Sequence, residues 1–189
     1  MNFRPVAAAI GALLFAACAS SPAPHKIVRA PQPTKTIDAA RFYTGRWYEI
    51  ARTPMSLTDG CVAASTDWVT DAKGKLVDHD ECRDKTPTGK IKQIEGPAVI
   101  LDPGTNAKVD VHYKVFWLFT ITRTYWIVDR ADDYSWYIAS DPEMANINAF
   151  TRDPRPSKAT IDLLTERTKA LGYDVSKLEY PETFPPGMK

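Results

Sequence analysis

The sequence predicts an all-β domain, an antiparallel sandwich or barrel, with a single helix toward its C-terminus. Between Arg46 and Arg152, short segments with alternating or β-branched and aromatic character recur at intervals of about a dozen residues. Clusters of Asp, Gly, Pro and Asn separate them. Only the stretch after Ser157 carries apolar residues at helical spacing. A length of 189 residues suits one domain with a sizeable core plus flanking segments, and no internal repeat divides it.

The chain divides at 1–17, 18–38, 39–184 and 185–189. The first part reads Met-Asn-Phe-Arg, then Pro5, an apolar run from Val6 to Ala17 and Cys18. A basic start followed by a short apolar stretch and small residues is the secretory signal pattern. The alternative is an uncleaved anchor, but the run falls short of the roughly twenty residues that span a bilayer. Phe15-Ala16-Ala17-Cys18 resembles a bacterial lipobox, which implies lipidation of Cys18. Acyl chains on one cysteine hold a protein to a membrane, each buried methylene contributing roughly 0.8 kcal/mol. By resemblance to other lipoproteins, Ala19 in place of Asp implies the outer membrane. Residues 19–36, with Pro22, Pro24, Pro31 and Pro33, read as an extended tether in which His25 is solvated.

Cys61 and Cys82 remain as an even pair in an oxidising compartment. Thr70-Asp71-Ala72-Lys73-Gly74 is a turn signal between them. A hairpin folded there makes facing positions sum to about 143–144, which sets Cys61 nearly opposite Cys82 and predicts a disulfide. A metal pair would need further ligands, and only His79 stands close by.

Ile91 to Leu101 reads as a strand in which Gly96-Pro97 marks a bend or bulge. After the turn Asp102-Pro103-Gly104-Thr105-Asn106, Lys108 to Val115 alternates cleanly. Val109, Val111, Tyr113 and Val115 share one face, with Asp110 and His112 on the other. An Asp–His catalytic pair and a solvated strand face are the two readings of that polar set. Thr120 to Asp129 is β-branched and aromatic, and Tyr134 to Ser140 sets Tyr134, Trp136 and Ile138 on one face. Ser157 caps the helix, Ile161, Leu164, Thr168 and Leu171 form its stripe, and Gly172 ends it. Val175, Leu178 and Tyr180 read as a short closing strand.

Net charge is +1, and zero once the segment carrying Arg4 is set aside, which argues against nucleic acid as a partner. No Gly-x-Ser-x-Gly elbow or metal-spaced histidine set occurs, so the sequence indicates no enzyme, no metal and no cofactor.

Gly45-Arg46-Trp47-Tyr48-Glu49-Ile50-Ala51-Arg52 resembles the G-x-W-Y-E-I-A-R opening of the lipocalins, closest to the bacterial outer-membrane type. The similarity continues in family order through Gln93-Ile94-Glu95-Gly96, Tyr125-Trp126-Ile127-Val128-Asp129, Arg152-Asp153-Pro154 and Tyr173-Asp174-Val175-Ser176-Lys177. It implies an eight-stranded antiparallel up-and-down barrel with the helix packed outside. Trp47 would then fill the closed end with Arg152 over its ring, and Gly45 would allow close approach at the barrel entry. Residues 46–52 fit a strand covered on both sides, Trp47, Glu49 and Ala51 inward and Tyr48 and Ile50 under the helix. An inward Glu49 needs a partner or a raised pKa. The segment Asn148-Ala149-Phe150-Thr151 departs from relatives, which often carry a Trp there, and the Phe116–Phe119 hairpin is longer than usual.

A barrel of this size holds one small ligand when its inward residues leave space. Val111, Tyr113, Trp126 and Trp136 are the expected wall residues, each equally explicable as ordinary core. The resemblance implies an outer-membrane lipoprotein, its barrel facing the periplasm, that binds a fatty acid or lysophospholipid. The competing readings are a lipid-modifying enzyme and a structural barrel whose Phe116–Phe119 tip docks on a membrane or forms a homodimer with a second copy.

Overall fold

The structure, a computed structural model, describes residues 29–115 and 118–188. The signal segment, Cys18 and His25 lie outside the described residues, as do Phe116 and Trp117. A single turn of helix, α1 (Ala39–Phe42), leads into eight strands: β1 (Gly45–Arg52), β2 (Cys61–Thr70), β3 (Leu76–Asp84), β4 (Ile91–Ile100), β5 (Lys108–Val115), β6 (Phe119–Arg130), β7 (Trp136–Ser140) and β8 (Ile147–Thr151). Each strand pairs antiparallel with the next, and β8 returns to β1, closing an up-and-down barrel with no free edge. Helix α2 (Lys158–Ala170) follows.

Local chemistry accounts for the turns. Asp71 Oδ1 accepts from the backbone of Lys73 and Lys75, and Asp102 accepts from Ala107 and Lys108. The Ser157 side chain accepts from Thr160 N, and Gly172 takes φ +94° just past the helix. Leu164 and Thr168 bury the helix stripe against Ile50, Trp136, Ile138 and Ile147 on the barrel's outer wall. At the other end of the cross-section, Ile37, Phe42, Tyr43, Trp47, Trp68, Val109 and Val111 pack inside the barrel. The α1 turn therefore seals the end at which β1 begins, and the loops after β1, β3, β5 and β7 rim the open end.

The disulfide joins Cys61 and Cys82 with Cα atoms 5.4 Å apart. The register differs from the arithmetic: Trp68 faces Asp78 and Cys61 faces Asp84, so facing numbers sum to 145–146. The turn is centred later, on a five-residue Asp71–Lys75 loop, and a bulge between Val62 and Ser65 shifts the ladder again. The cysteines meet diagonally across the strands.

One other local expectation is corrected and one gains a further cause. Val175–Lys177 is a 3-10 turn capped by Asp174, and beyond it only Glu179 bridges to Arg52, so no closing strand forms. At Gly96-Pro97 the ladder to β5 stops, its last pair being Ala98 with Val111, and Gly96 is also a close approach. A Cβ there would lie 2.5 Å from the His112 carbonyl oxygen, so the absent side chain is what lets β4 and β5 meet.

Candidate functional site

The barrel encloses a cavity of about 430 Å³, within the range of small-molecule sites. Ile94, Val109, Val115, Ile127, Ala139 and Phe150 supply apolar wall, and Phe42, Trp68, Tyr113, Tyr125 and Tyr137 supply aromatic wall. Met55, Leu57, Lys92, Lys114 and Arg123 line it toward the open end.

Tyr113, expected on the wall, lines the cavity. Val111, between Val109 and Tyr113 on the same face of β5, is fully buried in the interior core and does not line the cavity. Trp126 and Trp136 are corrections. Both lie on the barrel's outer face: Trp126 under the Lys108 ammonium, 4.3 Å from the ring centroid, and Trp136 beneath α2 with Arg167 over its ring. The inward residues of these strands are their neighbours Tyr125, Ile127 and Tyr137. Both faces of β6 and β7 are apolar there, because the helix covers one while the cavity and floor take the other. A bulge between Ile127 and Asp129 also shifts the phase along β6. A one-residue offset exchanges the two sets.

Trp47 is completely buried, and the Arg152 guanidinium carbon sits 3.5 Å from its ring centroid. Arg152 Nη1 donates to the Arg46 carbonyl at 2.8 Å, and Trp47 Nε1 donates to the Phe42 carbonyl at 3.2 Å. Gly45 takes φ +62° with Arg152 Nη1 only 3.7 Å from where its Cβ would be. This end of the barrel is held by side chains and offers no reacting group.

Along β1 the inward order is Trp47, Glu49, Arg52. The break in pairing between Glu49 and Ala51 turns Ala51 outward, toward the helix side, and Arg52 inward. Tyr48 packs outside as expected, but against Phe184 of the C-terminal segment rather than under α2. Glu49 and Arg52 form a buried pair. Arg52 Nη1 lies 2.6 Å from Glu49 Oε2, and Asn148 Nδ2 donates to Glu49 Oε1 at 2.6 Å. Arg52 also binds Glu179 and the carbonyls of Cys61 and Thr58. Burial pushes the Glu49 carboxyl above its ordinary value, and the Arg52 charge and its hydrogen bonds offset part of that.

A second polar group was not legible as a site. Asp78 and Asp80 on β3 both point into the barrel, with Tyr113 Oη 2.8 Å from Asp78 Oδ2 and 2.7 Å from Asp80 Oδ2. Thr66 Oγ1 donates to Asp80 Oδ1. One phenol proton serves one of the two carboxylates, so the other contact needs a carboxyl proton. At least one of the two carboxyls therefore holds a proton. Burial, followed for Asp78 by the neighbouring Asp80 charge, raises both acids, and Asp78 stands well above the ordinary range. Asp78 Oδ1 and Trp68 Nε1, from facing residues of β3 and β2, have no partner among the described residues. The parity of Asp78, Asp80 and Cys82 along β3 is the sequence signal that places these acids on the disulfide's face.

The histidines stand elsewhere. His79 Nδ1 pairs with Glu95 at 2.7 Å and His112 Nδ1 meets Thr122 Oγ1 at 2.9 Å, both on outward strand faces. Asp110, the other half of the considered Asp–His pair, accepts instead from Thr124. Leu118 and Phe119 of the β5–β6 tip are exposed.

Residues 37–183 match the Lipocalin-like domain family. The chain is a lipocalin. It is 30% identical to apolipoprotein D of Macaca fascicularis over 158 residues, covering 79% of this chain and 78% of that protein. It is 25% identical to the outer membrane lipoprotein Blc of Vibrio cholerae over 140 residues, covering 73% of this chain and 78% of the relative. The solved structure of insecticyanin from Manduca sexta superposes with a TM-score of 0.65 at 18% identity, covering 84% of this chain and 88% of that one. That likeness is one of fold.

Proposed function

We propose that this lipocalin binds a fatty acid, lysophospholipid or similar single-chain amphiphile in its barrel, and stores or carries it at the cell envelope. The observation that carries the reading is the cavity itself: aromatic and aliphatic walls around about 430 Å³, open at one end. Ten methylenes moved there from water contribute roughly 8 kcal/mol gross, before association and ordering costs, which supports micromolar binding of a long chain. Lys92, Lys114 and Arg123 toward the mouth suit an anionic head left near solvent. The lipobox at Cys18 and the similarity to an outer membrane lipoprotein support a lipid anchor in the outer membrane with the barrel on the periplasmic side. Binding is favoured over catalysis because the histidines face away from the cavity.

Native mass spectrometry after gentle purification tests the reading. A co-purified lipid, or stoichiometric uptake of added lysophospholipid without turnover, is the expected result. Hydrolysis or isomerisation of the lipid would make the protein an enzyme, and no uptake at all would leave a structural barrel. Radiolabelled palmitate should enter the wild type and not Cys18→Ser.

A further inference from the structure

The end of the proline-rich segment and the β5–β6 hairpin bring two independent features to the same end of the barrel. Residues 29–37 are a strap bonded to the barrel's outside. The Ala30 amide donates to the Pro142 carbonyl at 3.0 Å, and the Ile37 amide donates to the Thr105 carbonyl at 2.8 Å. Between them Lys108 Nζ reaches Gln32 Oε1 at 2.7 Å, and Arg130 Nη2 donates to the Thr36 carbonyl at 2.6 Å. Ala30 and Ile37 are both buried. The strap therefore runs from Thr105, in the loop after β4 at the closed end, to Pro142, in the loop after β7 at the open end. Residues 19–28 alone separate it from Cys18. A leash of that length has a root-mean-square reach of about 20 Å, and spans at most about 40 Å fully extended. An acyl anchor on Cys18 is thus tied to the rim of the mouth and not to the barrel floor.

The rim carries apolar surface that the barrel does not cover. The last pair between β6 and β7 is Trp126 with Ser140, so Phe119–Tyr125 pairs only with β5 and the hairpin projects past its neighbours. Phe119 and Ile121 share the parity of Tyr125 but stand beyond the core that would receive them. Phe119 is 67% exposed, Leu118 64% and Ile121 46%, and Leu57, on the loop after β1, is 56% exposed. Lys85, Lys90 and Lys114 are exposed at the same end and form no ion pair among the described residues. Asp59 and Glu143 are the exposed carboxylates of the rim loops, while Lys92 holds Asp84 and Asp141 is taken up by its own loop. Apolar side chains among free lysines suit a leaflet with anionic phospholipid, where the chains enter the interface and the ammonium groups meet phosphate.

We infer that the open end of the barrel docks on the anionic bilayer leaflet that holds the Cys18 anchor, with Leu57, Leu118, Phe119 and Ile121 in the interface and the closed end turned away. The mouth then opens onto lipid, and an amphiphile passes between leaflet and cavity without its chain crossing water. The inference rests on the lipidation of Cys18 proposed above and adds the face that meets the membrane.

The lipidated full chain, bound to vesicles of phosphatidylethanolamine and phosphatidylglycerol, tests it. A bimane label is placed on Thr120→Cys in the hairpin or on Ala72→Cys in the β2–β3 turn at the closed end, and brominated phospholipid is the quencher. Quenching is expected at position 120 and not at 72. Equal quenching, or none at either, would overturn the docking. L118D/F119D changes exposed side chains that do not line the cavity, so it should keep the wild-type Tm and laurate affinity while losing the quenching at 120. Quenching that survives in this variant removes the patch from the interface and overturns the inference. Palmitate on the wild type with position 120 unquenched leaves the anchor and removes the docked mouth, whereas no palmitate and no vesicle binding remove both. A Cys18→Ser chain that sediments as a dimer, and as a monomer once L118D/F119D is introduced, would give the patch to a second copy and overturn the bilayer as its occupant.

Discussion

Arg52→Met isolates the buried ion pair at the barrel wall. The guanidinium is 3% exposed and makes four contacts: Glu49 at 2.6 Å, Glu179 at 2.5 Å, and the carbonyls of Cys61 and Thr58 at 2.8 and 3.3 Å. Methionine replaces the aliphatic stem but leaves Glu49, 8% exposed, with Asn148 alone. Breaking a buried pair on one side costs about 3–5 kcal/mol, because a charge is left without compensation. For a chain of this length that corresponds to a fall in Tm of about 6–20 °C. The sign of the pH dependence follows from Glu49. Burial already raises its pKa, and loss of Arg52 removes the largest influence opposing that rise. A raised folded pKa means the folded state holds the proton more tightly than the unfolded state, so the variant should be weakest above the raised titration. It should recover as pH falls through that titration toward the ordinary glutamate value. Urea unfolding at pH 8 and pH 5, with Glu49→Gln/Arg52→Met alongside, measures both effects. A loss under about 1 kcal/mol, or a double variant no better than the single one, would refute the reasoning.

Reduction of Cys61–Cys82 opens a loop with a sequence separation of 21 and should lower stability by about 3 kcal/mol, read by urea unfolding with and without reductant. Gly96→Ala pushes a methyl onto the His112 carbonyl and should cost about 1–3 kcal/mol, with amide exchange accelerated along β4 and β5. Trp136→Arg should lower stability by about 3–5 kcal/mol, since the ring is core beneath α2; a folded, unweakened variant with impaired fatty-acid binding would instead return Trp136 to the cavity wall.

The α2 cap and stripe were legible because they rest on local rules, whereas the closed up-and-down strand order and the Arg152–Trp47 contact were legible only through the family resemblance. β5 was legible in phase as well: Val109, Val111 and Tyr113 are buried and alternate with polar residues. β6 and β7 were not. Every residue of β7 is buried, so the hydrophobic pattern contains no contrast from which to choose an inward face. Bulges defeat counting in another way, since one added residue reverses the parity of everything beyond it. That is how Arg52, read as part of a motif, entered the cavity while Ala51 left it. The Asp78–Asp80 pair ran against binary patterning altogether, which assigns acids to the solvent face.

Placing charge inside an apolar barrel imposes an order on whatever enters it. The two polar groups differ in kind. Glu49, Arg52 and Asn148 satisfy one another and sum to no net charge, so they present polar surface without a preference for sign. Asp78 and Asp80 share the Tyr113 hydroxyl, and burial disfavours the charged form of both. Of the cations in the cavity lining, Arg52 is held by Glu49 and Glu179, while Lys92, Lys114 and Arg123 stand toward the mouth. An anionic head would therefore find its partners at the rim, where it also keeps its water, and the deeper aromatic wall is left to the apolar tail.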